Sequence, residues 1–138
     1  MLHLIKLSVG IRDVEHLRDV QAARLATDPP LLHRTRQWPK RAAEILAGGS
    51  IYWVIAGQLQ CRQVVLDIRP DRRPDGSACA ALVLDSTLVL VEPRPTKPFQ
   101  GWRYLKAEEA PADLAEGSEG GGDLPSGLRL ALRELCLL

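Results

Sequence analysis

The run from His33 to Arg41, HRTRQWPKR, gathers Arg34, Arg36, Lys40 and Arg41 behind His33, with no acid among them. Fixed positive charges this close together suit an anion, phosphate above all, because each guanidinium or ammonium offers donors to the same oxygens. Pro39 suits the first position of a helix, and Gly48 the left-handed residue just past its end. The spacing therefore predicts a short helix whose first turn holds Lys40 and Arg41. Acids are the favourable residues there, and each exposed cation costs about 0.3–1 kcal/mol. A broken local rule of this kind marks residues 33–41 as a candidate phosphate site, with backbone N–H groups and side chains aimed at one place. The plainer reading is a solvated basic loop whose charges pair with acids elsewhere. The candidate acid/base groups are His33, placed to act beside a phosphodiester, and Glu44, at i+4 from Lys40.

All six aromatic residues lie between Trp38 and Tyr104. Trp38 neighbours Lys40 and Arg41, and Trp102 neighbours Lys97 and Arg103. Single-stranded nucleic acid needs this mixture, rings to stack on bases and cations to follow phosphates. The expected binding surface joins Arg34, Arg36, Lys40 and Arg41 to Arg62, Lys97, Trp102, Arg103 and Tyr104. Trp53 reads as core. So does Trp38, which shares an apolar stripe with Ala42, Ile45 and Leu46 on the short helix. There is no HExxH, no GxSxG, and no Walker or Rossmann glycine pattern. Asp67 and Asp71 form no spaced set with any histidine, so neither metal nor cofactor is expected.

The elements that must position these residues follow from period and punctuation. Leu2–Val9 reads as a first strand, and Asp13 caps a helix from Val14 to about Ala26. After Gly48 and Gly49, Ile51–Ile55 is apolar on both faces, as a central strand is. Gly57 marks a turn into a second hairpin strand, Leu59–Ile68, with a bulge near Cys61–Val65. Residues 69–77 read as a loop, Ala80–Val91 as a third long strand, and Phe99–Leu105 as a last short one. The domain thus runs over 1–106. An acidic, Gly/Ser-rich linker follows over 107–125, then a C-terminal helix over 126–138 with a leucine face.

The net charge is only +1 over 138 residues, but it is segregated. Residues 29–73 carry eight Lys/Arg against three acids, whereas residues 107–127 carry six acids and no base. The acidic stretch is thus placed to fold over the basic face and compete with a ligand. Cys61, Cys79 and Cys136 are odd in number and widely spaced, which reads as reduced thiols in a cytoplasmic protein. MLHLIKLSVG lacks the pattern of a secretory signal, and no stretch is apolar enough for a membrane helix.

The strings MLHLIKLSVG, HRTRQWPKR, GGSIYWVI and PFQGWRYLK resemble an uncharacterised bacterial family, a domain of unknown function of about 140 residues. That resemblance implies no activity. A more distant likeness is to PUA-like and ASCH-type domains, small barrels with flanking helices that bind RNA or modified bases. It rests on the order of elements, and the ASCH-type glycine–lysine–glutamate signature is not intact. The fold expected is α+β: a curved mixed or antiparallel sheet of five strands, or a small PUA-like β-barrel, with two to three flanking helices. The leading expectation is binding of RNA or another phosphate-bearing ligand. The alternatives are a small enzyme acting on a nucleotide or RNA, and an interaction module that forms a homodimer through the C-terminal helix.

Overall fold

The structure, a computed structural model, describes residues 1–114. The C-terminal helix, the homodimer it was expected to form, and linker residues 115–125 lie outside the described residues. Strand β1 (Leu2–Leu7) leads to α1 (Val14–Thr27), β2 (Leu32–Thr35) and the single turn of α2 (Ala42–Leu46). Then come β3 (Ser50–Ile55), β4 (Gln58–Arg72), β5 (Ala78–Leu84), β6 (Val89–Pro95) and β7 (Trp102–Lys106). They form one seven-stranded mixed sheet in the order β2-β5-β4-β3-β1-β7, with β6 also paired to β4. Only β1 and β3 run parallel. The order ends at β2 and β7, which do not pair among the described residues, so the α+β sheet is open.

Several elements form for the reasons visible in the chain. Asp13 caps α1, its carboxylate accepting the His16 N–H at 2.7 Å. The β3–β4 hairpin turns on Ala56 and Gly57, both left-handed at φ 52° and 81°, a turn whose twist matches the strands it joins. Strand β3 is buried along its whole length, and its two faces feed two cores. Leu2, Leu4, Ile51, Trp53, Ile55 and Leu82 pack with Leu17 of α1 and Ile45 of α2. Ile5, Tyr52, Val54, Leu59, Val91 and Leu105 form the second cluster on the other face.

The expected loop at 69–77 is instead strand as far as Arg72, with Pro70 opposite Ala80. The expected third strand is two, because the chain leaves β4 at Asp85 and rejoins it at Val89. β5 runs along β4 from Arg72 to Val65, and β6 continues along it from Arg62 to Gln58. Register shifts fall at Leu59/Cys61 and Val65/Asp67, flanking the stretch where alternation slips in the sequence. β2 has no alternating signal of its own and exists through its four pairs with β5. The expected linker is ordered at its start. Ala107–Glu109 is a 3-10 turn, and Asp113 bridges to Val91.

Gly49 joins α2 to β3 at a place with no room for a side chain. A Cβ there would run into the Leu2 carbonyl oxygen and stand 2.7 Å from that of Ile45. Both obstacles are backbone, so neither can swing aside. Gly49→Ala is expected to cost about 1–3 kcal/mol through overpacking, read as a lower urea midpoint. Gly57→Asn, in a turn open to solvent, should cost far less, and equal losses would refute this account of Gly49.

Candidate functional site

Arg34 and Arg36 lie where β2, β5 and the far half of β4 form a three-stranded extension. Register sets Arg34 opposite Ala81 and Ala81 opposite Arg69, with Asp71 opposite Cys79. Arg34 Nε donates to Asp71 Oδ2 at 2.7 Å, and Arg69 Nε to Asp67 Oδ2 at 3.2 Å. Cys79, Ala81 and Val83 are buried although small. Long charged side chains on either side lay their stems over them, which explains that burial. The Asp71 carboxyl is held below the usual carboxylate range by its hydrogen bond from Arg34, and then by the Arg72 N–H.

Beside this ladder lies an open groove of about 360 Å³, lined by Arg36, Trp38, Pro70, Asp71, Arg72 and Cys79 among others. Trp38 is 46% exposed. It was expected in the core, as part of a helix starting at Pro39, but α2 starts only at Ala42 and Trp38 precedes it. The Arg41 N–H goes to the Tyr104 hydroxyl at 3.1 Å, and Pro39 is buried before the helix begins. The first turn thus gathers no anion-binding N-terminus. Arg36 makes no salt bridge among the described residues, nor does Arg72, whose Nη1 donates to the Gly76 carbonyl at 2.9 Å.

The other expected site residues fall into separate places. Arg41 grips Glu44 with two bonds of 2.6 and 2.7 Å and lies over the Tyr104 ring, 5.6 Å from its centre. Glu44 therefore pairs at i−3 rather than with Lys40, and that bond holds its carboxyl below the usual range. Trp102 and Tyr104 meet edge to face at 5.0 Å, half-buried against the first core. Lys40 is exposed nearby. Arg62 is on the opposite face of the sheet, where it forks onto Asp113 at 2.8 and 2.7 Å and reaches Ser50 Oγ at 2.9 Å. Arg103 lies over Phe99, 4.8 Å from its centre, and Lys97 is exposed on the β6–β7 connection. The sheet thus separates Arg34, beside β5, from Trp102, Arg103 and Tyr104 on β7, whereas Arg41 does meet Tyr104 as expected.

His33 is on β2 rather than in a basic loop. Its ring meets Trp53 edge to face at 5.1 Å, and its buried Nε2 has no hydrogen-bond partner among the described residues. Burial, and then the nearby charges of Lys6 and Arg24, push its pKa down to about 4. The imidazole is therefore neutral at pH 7. Lys6 and Arg24 come to His33 only through the fold, although a lysine inside the otherwise apolar first strand is a signal open to a reader of the sequence.

A family model described as a protein of unknown function (DUF1489) matches residues 4–138. The chain belongs to this family. No curated protein and no solved structure matches it. Membership brings no activity with it, so the functional reading of this family member rests on the geometry above. Among the described residues no group of His, Cys, Asp or Glu is arranged to hold a metal ion, and no helix is long and apolar enough to cross a membrane. Cys61 and Cys79 are free and buried, and burial pushes the Cys61 thiol up to about 12.

The neutral His33 makes stability depend on pH. Its folded pKa lies below the ordinary 6.5, so the unfolded chain takes up a proton first. This contribution is complete above pH 6.5 and is lost as the pH falls from there toward 4. Asp71, Asp75 and Asp113 all lie below their ordinary 3.8, outside that window, whereas His3, lowered by burial and then by Arg62, adds a loss within it that the native chain and His33→Leu share. Urea midpoints at pH 7 and pH 5 should therefore fall further apart in the native chain than in His33→Leu. Equal pH dependence in the two would show that His33 is not held neutral.

Proposed function

We propose that the chain binds a phosphate-bearing ligand, single-stranded RNA in the first instance, along the groove of Arg36, Trp38 and Arg72. The observation that carries this reading is an exposed tryptophan that shares a groove with two arginines, neither of which makes a salt bridge among the described residues. A ring with a free face stacks on any base, and nearby guanidiniums follow the backbone. Asp71 lies in the same groove but is tied to Arg34, so its charge is largely cancelled. Trp102 and Tyr104 serve this role less well, because their rings pack against each other and the core. Arg34, Arg41 and Arg62 are each committed to a carboxylate.

A short single-stranded RNA titrated across a salt series tests the reading. Two phosphate contacts should give a slope of about 1.4 log units of affinity per log unit of salt, since each single-strand contact contributes roughly 0.7. Arg36→Ala should flatten the slope by about one contact. Trp38→Ala should weaken binding by about 1–3 kcal/mol at every salt concentration, leaving the slope alone. Asp71→Asn, which frees Arg34, should tighten it. No binding at low salt, or binding indifferent to Trp38 and Arg36, would remove the groove from consideration.

A further inference from the structure

We propose that a second, interior site binds a small organic acid, its anionic head between Lys6, Arg24 and His33 and its apolar body against Trp53. The site is a cavity of about 220 Å³ between the end of β1, the start of β2 and the inner face of α1. It lies at the opposite end of β2 from the Trp38 groove and shares no lining residue with it. The inference therefore stands whether or not the groove binds RNA.

Register puts Lys6 opposite both Trp53 and Trp102, so its stem lies among rings on the helix-covered face. Arg24 enters from the last turn of α1 and is exposed, as a residue at the mouth would be. Neither makes a salt bridge among the described residues. No acid lines the cavity. Burial lowers the pKa of Lys6, and the charges of Lys6 and Arg24 add to burial in lowering that of His33. An anion between them relieves all three, and the unpartnered His33 Nε2 supplies a further hydrogen bond.

The rest of the lining sets the body of the ligand. Trp53 Nε1 is already bonded to Gln63, and the Gln21 amide is paired with the same residue. These two groups therefore present mainly carbon surface and a fixed back wall. Leu17, Leu31 and Leu84 complete it. The volume is below the roughly 300–1,000 Å³ of pockets for drug-sized ligands, which fits a compact acid and excludes a nucleotide.

The probes are acetate, benzoate, phenyl phosphate and inorganic phosphate, titrated into the full chain while the His33 ring protons are followed by NMR. Benzoate or phenyl phosphate should bind saturably, more tightly than acetate or inorganic phosphate, and raise the His33 midpoint from about 4. Arg24→Gln, at an exposed position, should weaken binding at least tenfold without disturbing the fold. Lys6→Met, which keeps the stem, should do the same, and Trp38→Ala should leave binding unchanged. Inorganic phosphate binding as tightly as the aromatic acids would overturn the organic-acid assignment. Failure of all four probes to move the His33 resonances, or binding that survives Arg24→Gln, would overturn the site.

Discussion

The Gln63 side chain, fully buried in the middle of β4, fastens four parts of the molecule at once. Its Oε1 accepts from Trp53 Nε1 and from Gln21 Nε2, both at 2.9 Å, while its Nε2 donates to Gln21 Oε1 at 2.8 Å and to the Asp85 carbonyl at 2.9 Å. Those bonds join β3, β4, α1 and the corner where the chain leaves β5. At the corner between Leu84 and Val89 the strand is interrupted; the Asp85 N–H still donates to the Val64 carbonyl at 2.9 Å, and Gln63 supplies the partner for the Asp85 carbonyl. A buried carboxamide is tolerable only when satisfied, and here both its oxygen and its nitrogen are. Removing it would orphan the Trp53 N–H and the Gln21 amide together, at about 1–3 kcal/mol for each group left unpaired. The same bonds hold Trp53 and α1 in place as walls of the interior cavity.

Charge is distributed in two distinct ways over this scaffold. Five arginines, Arg18, Arg34, Arg41, Arg62 and Arg69, are paired with carboxylates, and the exposed pairs add little to stability. Their value is local: their stems cover the small residues of β5, and Arg62 ties Asp113, just after the last strand, back to the sheet. The other cations among the described residues make no salt bridge, and four of them line the two recesses. Arg36 and Arg72 share the open groove with Trp38, and Lys6 and Arg24 share the interior cavity with His33.

The two places also differ in the physics of any binding. The groove is open to water, so its attraction for phosphate is screened by salt and depends on stacking for much of its strength. The recess under α1 is small and only partly open, lined with carbon around a few polar groups, so charges at its buried end act across a lower dielectric. That contrast suits an extended polyanion on the surface and a small acid inside.

Local chemistry alone determined a good deal of this fold. The Asp13 cap, the α1 span, the all-buried β3, the left-handed turn at Gly57, the C-terminal glycine of α2 and the late strand β7 each depend on residues close together in the chain, and all are present. Tertiary structure decided the rest. Strand β2 and the extension of β4 through Pro70 exist because β5 lies beside them to accept their hydrogen bonds. Trp38 is outside the core because Arg41 and Tyr104 set where α2 begins, which no spacing within 33–48 records. The basic run looked like one site because its charges are adjacent in the chain. Folding gave Arg34 and Arg41 carboxylates of their own, and brought His33 to Lys6 and Arg24 across the cavity. Pairing across a sheet joins residues tens of positions apart, so which charges end up neutralised, and which face an empty space, is settled only when the strands have found their register.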